Sequence, residues 1–136
     1  DTDTDTPGPT CEDATPIFVG DTVTGTLEGQ TNTYDSSGAC TNGFGSSGSD
    51  RAYYLTGLTP GATYRVSYSG NYDTSLMILP DALPCDVNTC IAGDDSGNPE
   101  VAEFDGPASG AVYIIADAYT SQGFGTSYTL TVEAVP

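Results

Sequence analysis

Asp94 and Asp95 stand side by side in Ala92-Gly93-Asp94-Asp95-Ser96-Gly97-Asn98, a glycine-bearing turn between two apolar runs. Carboxylates crowded onto a tight turn repel one another unless water, backbone N–H groups or a hard cation offsets their charge, and Ca²⁺ takes oxygen ligands of this kind. Glu12 and Asp13, beside Cys11, could complete such a set with Asp94 and Asp95 if the N-terminal segment folds back on the loop. The spacing is not that of an EF-hand, whose longer patterned loop ends in Glu. The same residues fit a second reading, in which Asp94, Asp95 and Asn98 cap a turn through side-chain to backbone bonds. Ca²⁺ is the one cofactor these residues could hold, and no organic cofactor is expected.

Other chemistry is restricted by what the chain lacks. It has no His and no Lys, so the usual bases of nucleophilic hydrolysis are missing. Acids such as Asp94, Asp95, Glu100 and Glu103 are available for glycoside hydrolysis, but nothing in the sequence sets their separation or raises a pKa. A non-enzymatic protein is expected. Nineteen acidic residues against two arginines give a formal net charge of −17, which repels nucleic acid and anionic membranes and attracts cations or basic partners. Arg51 and Arg65 are each expected to pair with a nearby carboxylate, or with the acidic arm of a neighbouring copy.

Four cysteines, Cys11, Cys40, Cys85 and Cys90, form an even set without the paired spacing of a zinc site, so two disulfides are expected. Three pairings are open. Cys11 with Cys40 and Cys85 with Cys90 is favoured, because the second pair closes a small local loop while the first pins the N-terminal segment. No run is long enough to span a bilayer, and numbering from Asp1 without an initiator Met reads as a processed secretory product, extracellular or at a bacterial cell surface.

The elements that position these residues are strands. Short runs rich in Val, Ile, Thr and Tyr cover 17–19, 21–27, 31–35, 52–55, 63–69, 74–79, 101–104, 111–117 and 127–132, and Gly, Asn, Asp and Pro clusters separate them. Within them the period is two: Tyr64, Val66 and Tyr68 alternate with Thr63, Arg65, Ser67 and Ser69, as Tyr128, Leu130 and Val132 do with Thr129 and Thr131. About nine short strands in 136 residues predict one all-β domain over 11–136, an antiparallel β-sandwich or jelly roll. Residues 1–10, Asp1-Thr2-Asp3-Thr4-Asp5-Thr6-Pro7-Gly8-Pro9-Thr10, have nothing to bury and predict an extended acidic arm. Its period-two alternation suits addition to a sheet edge, with Asp1 to Pro7 as partner-binding residues in a homopolymer. Thr2, Thr4, Thr6 and Thr10 are candidates for O-linked sugars, whereas the only relative of an N-glycosylation sequon is the weak Asn88-Thr89-Cys90. Tyr34, Phe44, Tyr72, Tyr119 and Phe124 lie in or beside glycine-rich loops and could form a ligand platform or a subunit contact, or else cover the core.

Several segments occur in a familiar order: Gly20-Asp21-Thr22-Val23-Thr24-Gly25-Thr26-Leu27, Tyr53 to Tyr64, Tyr72-Asp73-Thr74 before an apolar strand, the double-Asp loop, Gly110 to Tyr119, and Tyr128-Thr129-Leu130-Thr131-Val132. Over roughly residues 11 to 135 the chain resembles the bacterial pre-peptidase C-terminal domain family, secreted jelly-roll-like β-sandwich modules. The resemblance implies such a fold, frequent company with a secreted protease or other enzyme, and in some members binding of Ca²⁺ or of a polymer such as collagen. Here one module fills the whole chain, so a task of its own is expected. The preferred expectation is a secreted structural or adhesive protomer of a filament or surface assembly joined through the arm. The alternative is a Ca²⁺-dependent polysaccharide- or protein-binding accessory module of a secreted hydrolase.

Overall fold

The alternating runs form strands because β-branched and aromatic side chains on one face have a partner sheet to pack against. In a computed structural model the described residues are 10–27, 34, 40, 50–71, 73–95, 99–118 and 127–136. The strands are β1 (Thr15–Phe18), β2 (Thr22–Thr26), β3 (Asp50–Thr56), β4 (Thr63–Gly70), β5 (Thr74–Pro80), β6 (Ala92–Asp94), β7 (Glu100–Asp105), β8 (Val112–Ala118) and β9 (Ser127–Ala134), with short 3₁₀ turns at Cys11–Asp13 and Val87–Thr89. They form a five-stranded sheet, β1-β3-β8-β5-β6, and a four-stranded sheet, β2-β9-β4-β7. Among the described strands only β5 and β6 are consecutive in one sheet; each other successive pair lies in different layers.

The expected all-β sandwich is therefore present, with three local differences. β1 pairs with β3 in parallel, Thr15 opposite Tyr53 through Phe18 opposite Thr56, while the other described pairs are antiparallel. β6 was not anticipated, because three residues next to a double-Asp turn carry no periodicity. Of the strand expected at 31–35 only Tyr34 is described, and it belongs to no strand.

The main core lies between the sheets. Leu55, Leu76, Ile78, Val112 and Ile114 from one sheet meet Val66, Tyr68, Leu130 and Val132 from the other, each at 0% exposure. Each large apolar side chain buried in this way contributes about 1.5–3 kcal/mol. The buried phenols are satisfied across the gap: the Tyr53 and Tyr128 hydroxyls bond each other, and Tyr68 Oη donates to the Asp117 carbonyl at 2.9 Å. Tyr128 fits because position 25 is glycine; a Cβ there would lie 2.7 Å from its hydroxyl oxygen.

A second cluster lies on the outer face of the five-stranded sheet, where Ala52, Met77, Leu79, Tyr113 and Ile115 pack with Cys11 and Tyr34. Its cover is stapled by disulfides whose pairing differs from the favoured expectation. Cys11 bonds Cys85 and Cys40 bonds Cys90, at sequence separations of 74 and 50. Local loop closure is outweighed by the need to hold two irregular segments against an apolar sheet face. Gly93 marks the same closeness: a Cβ there would meet the carbonyl oxygens of Cys40 and Leu76.

Candidate functional site

At one end of the sandwich the edge strands β6 and β7, from opposite sheets, come together. Asp94 ends β6, and its Oδ2 accepts a hydrogen bond from Val101 N–H of β7 at 2.9 Å. That side-chain to backbone bond joins two sheets and is not the turn cap expected of the double-Asp loop. Asp95, one residue on, is part of a different grouping. Asp73, Asp95 and Glu100 each offer a carboxylate oxygen, and these oxygens lie within 4.8 Å of one another.

Each carboxylate is placed by a different constraint. Asp73 is exposed directly ahead of β5. Glu100 opens β7 in phase with Ala102 and Phe104, so alternation points it into the sandwich, where it is 0% exposed. The equally buried Thr74 donates to Glu100 Oε2 at 3.0 Å. Asp95 lies between them, half-buried, and its carboxyl is pushed up to about 6 by loss of solvent first, then by the charges of Asp73 and Asp94. Three hard oxygen donors from three chain segments fit the preference of Ca²⁺ for carboxylates, with further positions left for carbonyls and water.

Glu12 and Asp13 are not brought to this group. They are exposed on the Cys11–Asp13 turn, which belongs with the covered face of the five-stranded sheet. There the Tyr34 and Tyr113 hydroxyls are raised chiefly by burial, and Glu12 adds its charge to both. In the sequence Asp73 stands within the Tyr72-Asp73-Thr74 motif and Glu100 among the acids without a set separation, and neither is marked as a ligand. The signals that mark them are position, one just before a strand and the other at its inward phase.

Tyr34 is not a ligand platform: it is buried, its hydroxyl accepts from Cys11 N–H at 2.7 Å, and its own N–H donates to Asp50 Oδ2 at 2.7 Å. Phe44, Tyr72, Tyr119, Phe124 and Asn98 lie outside the described residues, as do arm residues 1–9; Thr10 precedes the first 3₁₀ turn. Arg65 pairs with Glu103 at 2.7 Å and Glu133 at 2.9 Å on exposed surface. Arg51 makes no ion pair among the described residues.

Fold and acidic end together define a class: a disulfide-stapled two-layer β-sandwich with carboxylates gathered where its sheets meet. The pre-peptidase C-terminal domain of a collagenase from Bacillus anthracis shares this fold, with a TM-score of 0.60 at 16% identity over 88% of this chain and 94% of that one. PliG, a periplasmic inhibitor of g-type lysozyme from Aeromonas hydrophila, superposes with a TM-score of 0.57 at 15% identity over 90% of this chain and 97% of that one. No protein-family model and no curated protein sequence matches the chain. The likeness to the pre-peptidase C-terminal fold expected from the motifs is thus present in three dimensions.

Proposed function

We propose that the chain is a non-enzymatic β-sandwich module that acts outside the cytoplasm, binds an extracellular polymer or protein, and uses Ca²⁺ to close its acidic end. The observation that carries this reading is the convergence of Asp73, Asp95 and Glu100 from separate segments. A divalent cation there would offset three carboxylates and tie the ends of β5, β6 and β7 together. Two structural neighbours support the wider role, one being a domain of a collagenase and the other an inhibitor of a lysozyme. Two disulfides fit an oxidising compartment, and no helix among the described residues is long and apolar enough to cross a membrane.

Thermal unfolding tests the ion. Millimolar CaCl₂ should raise the Tm of the full chain at neutral pH, MgCl₂ much less, and Asp73→Asn with Asp95→Asn should abolish the response. The metal-free protein supplies a second sign. With its pKa raised from 3.8 to about 6, Asp95 binds its proton more tightly folded than unfolded. In chelator, the contribution of Asp95 to stability should therefore be full below the unfolded value and be lost as pH rises through about 6, a loss that Asp95→Asn removes. A Tm indifferent to Ca²⁺ would remove the metal from the proposal.

Self-assembly competes with the monomeric module, and it is favoured by β1 and β2 ending their sheets, where strand addition by residues 1–10 of another copy would occur. Electron microscopy should then show filaments of the full chain that vanish when residues 1–10 are removed. Monodisperse particles in both cases leave the monomeric module.

A further inference from the structure

The outer face of the four-stranded sheet repeats one kind of side chain. β2 carries Thr22, Thr24 and Thr26 in one phase, and β9 carries Ser127, Thr129 and Thr131. Strand register sets them in rungs: Thr26 opposite Ser127, then Thr24 opposite Thr129 and Ser69, then Thr22 opposite Thr131 and Ser67. The third rung is close enough for contact, with Thr22 Oγ1 and Thr131 Oγ1 3.3 Å apart. Strand geometry places hydroxyls about 4.8 Å apart along a rung and successive rungs about 6.7 Å apart.

Between the first two rungs runs a shallow trough of about 640 Å³, crossing β2, β9 and β4 and ending at Asn71. Its floor is backbone. Gly25 and Gly70 flank Tyr128 in register, and the Tyr128 ring is buried inward. Its walls are hydroxyls, and among the described residues none of its lining side chains is charged, in a chain of net charge −17. Charge returns further along the same face, where Arg65 lies between Glu133 and Glu103 in the register.

We propose that this trough binds a neutral polyhydroxylated chain, a stretch of uncharged polysaccharide laid across the strands. The proposal deepens the binding-module reading and rests on it. Every Ser and Thr hydroxyl both donates and accepts, which matches sugar hydroxyls in either sense. The field of the chain repels anionic polymers, and a cationic one is drawn to the carboxylates elsewhere on the chain, since the described lining of the trough offers it none. A protein partner would be anchored by aromatic or large apolar side chains, and among the described lining residues the one aromatic, Tyr128, is buried inward.

Native affinity electrophoresis of the full chain through gels containing dextran, laminarin or hydroxyethylcellulose, with alginate as the anionic control and gelatin as the protein control, tests the site. At least one neutral glucan should retard the chain and alginate should not. Thr24→Val with Thr129→Val should weaken retardation at least tenfold while leaving Tm and the Ca²⁺ response intact. Retardation by no neutral glucan, or undiminished retardation of the double variant, overturns the trough. Retardation by gelatin alone overturns the trough and keeps the module reading. Loss of every polymer interaction together with a Tm indifferent to Ca²⁺ overturns both.

Discussion

Met77 on β5 and Thr129 on β9 both occupy outward positions on interior strands of their sheets, yet Met77 is 1% exposed whereas Thr129 faces solvent. Their neighbours follow suit. Along β5 and β8 almost every residue is buried, while β9 and β7 alternate buried with exposed. One sheet is packed on both faces and the other on one. The difference shows how a single fold serves two ends: a covered face that fixes irregular segments, and a bare face left free to meet solvent or a ligand.

The largest expected effect breaks the covered face. Replacing Cys11 and Cys85 with Ser releases a link between residues 74 apart and frees the segment lying over Met77, Leu79 and Tyr113. Loop-closure entropy puts the loss at about 4 kcal/mol, measured as a fall in denaturant midpoint relative to the parent. Because the four-stranded sheet does not depend on that cover, glucan retardation of the molecules that remain folded should persist. If it were lost along with the cover, the two faces would be coupled and the comparison would fail.

The same contrast explains what could be read from sequence alone. Strict alternation in β4 and β9 is legible because water on one face favours a polar residue at every second position. In β5 and β8 the apolar runs are continuous, so the strands are visible but the second, outer cluster is not. Its cover is irregular chain, which has no periodicity to detect, and so the disulfide partners could not be chosen by spacing. Within the acidic end, Asp95 stands out as half of a doubled acid. Asp73 and Glu100 do not, because their meeting requires β5 and β6 of one sheet to approach β7 of the other. Long-range convergence of this kind leaves no local trace in the chain. Glu12 and Asp13 show the converse, since their part in the acidic set required the N-terminal segment to fold back on the double-Asp loop, and Cys11 is instead tied to Cys85 over the outer face of the five-stranded sheet.

A matched pair of substitutions measures the difference between the faces directly. Met77→Ala removes three heavy atoms from a site closed by sheet and cover, and the lost burial plus the cavity left behind should cost about 2–4 kcal/mol in equilibrium unfolding. Thr129→Val keeps the branched shape that suits a strand and removes only a hydroxyl from solvent, so stability should stay within about 0.5 kcal/mol of the parent. A threonine at a place where valine folds equally well gains nothing from stability, and its use then lies in what the hydroxyl contacts. If Thr129→Val instead destabilised the chain as much as Met77→Ala, the hydroxyl face would be part of the scaffold rather than a surface held ready for a ligand.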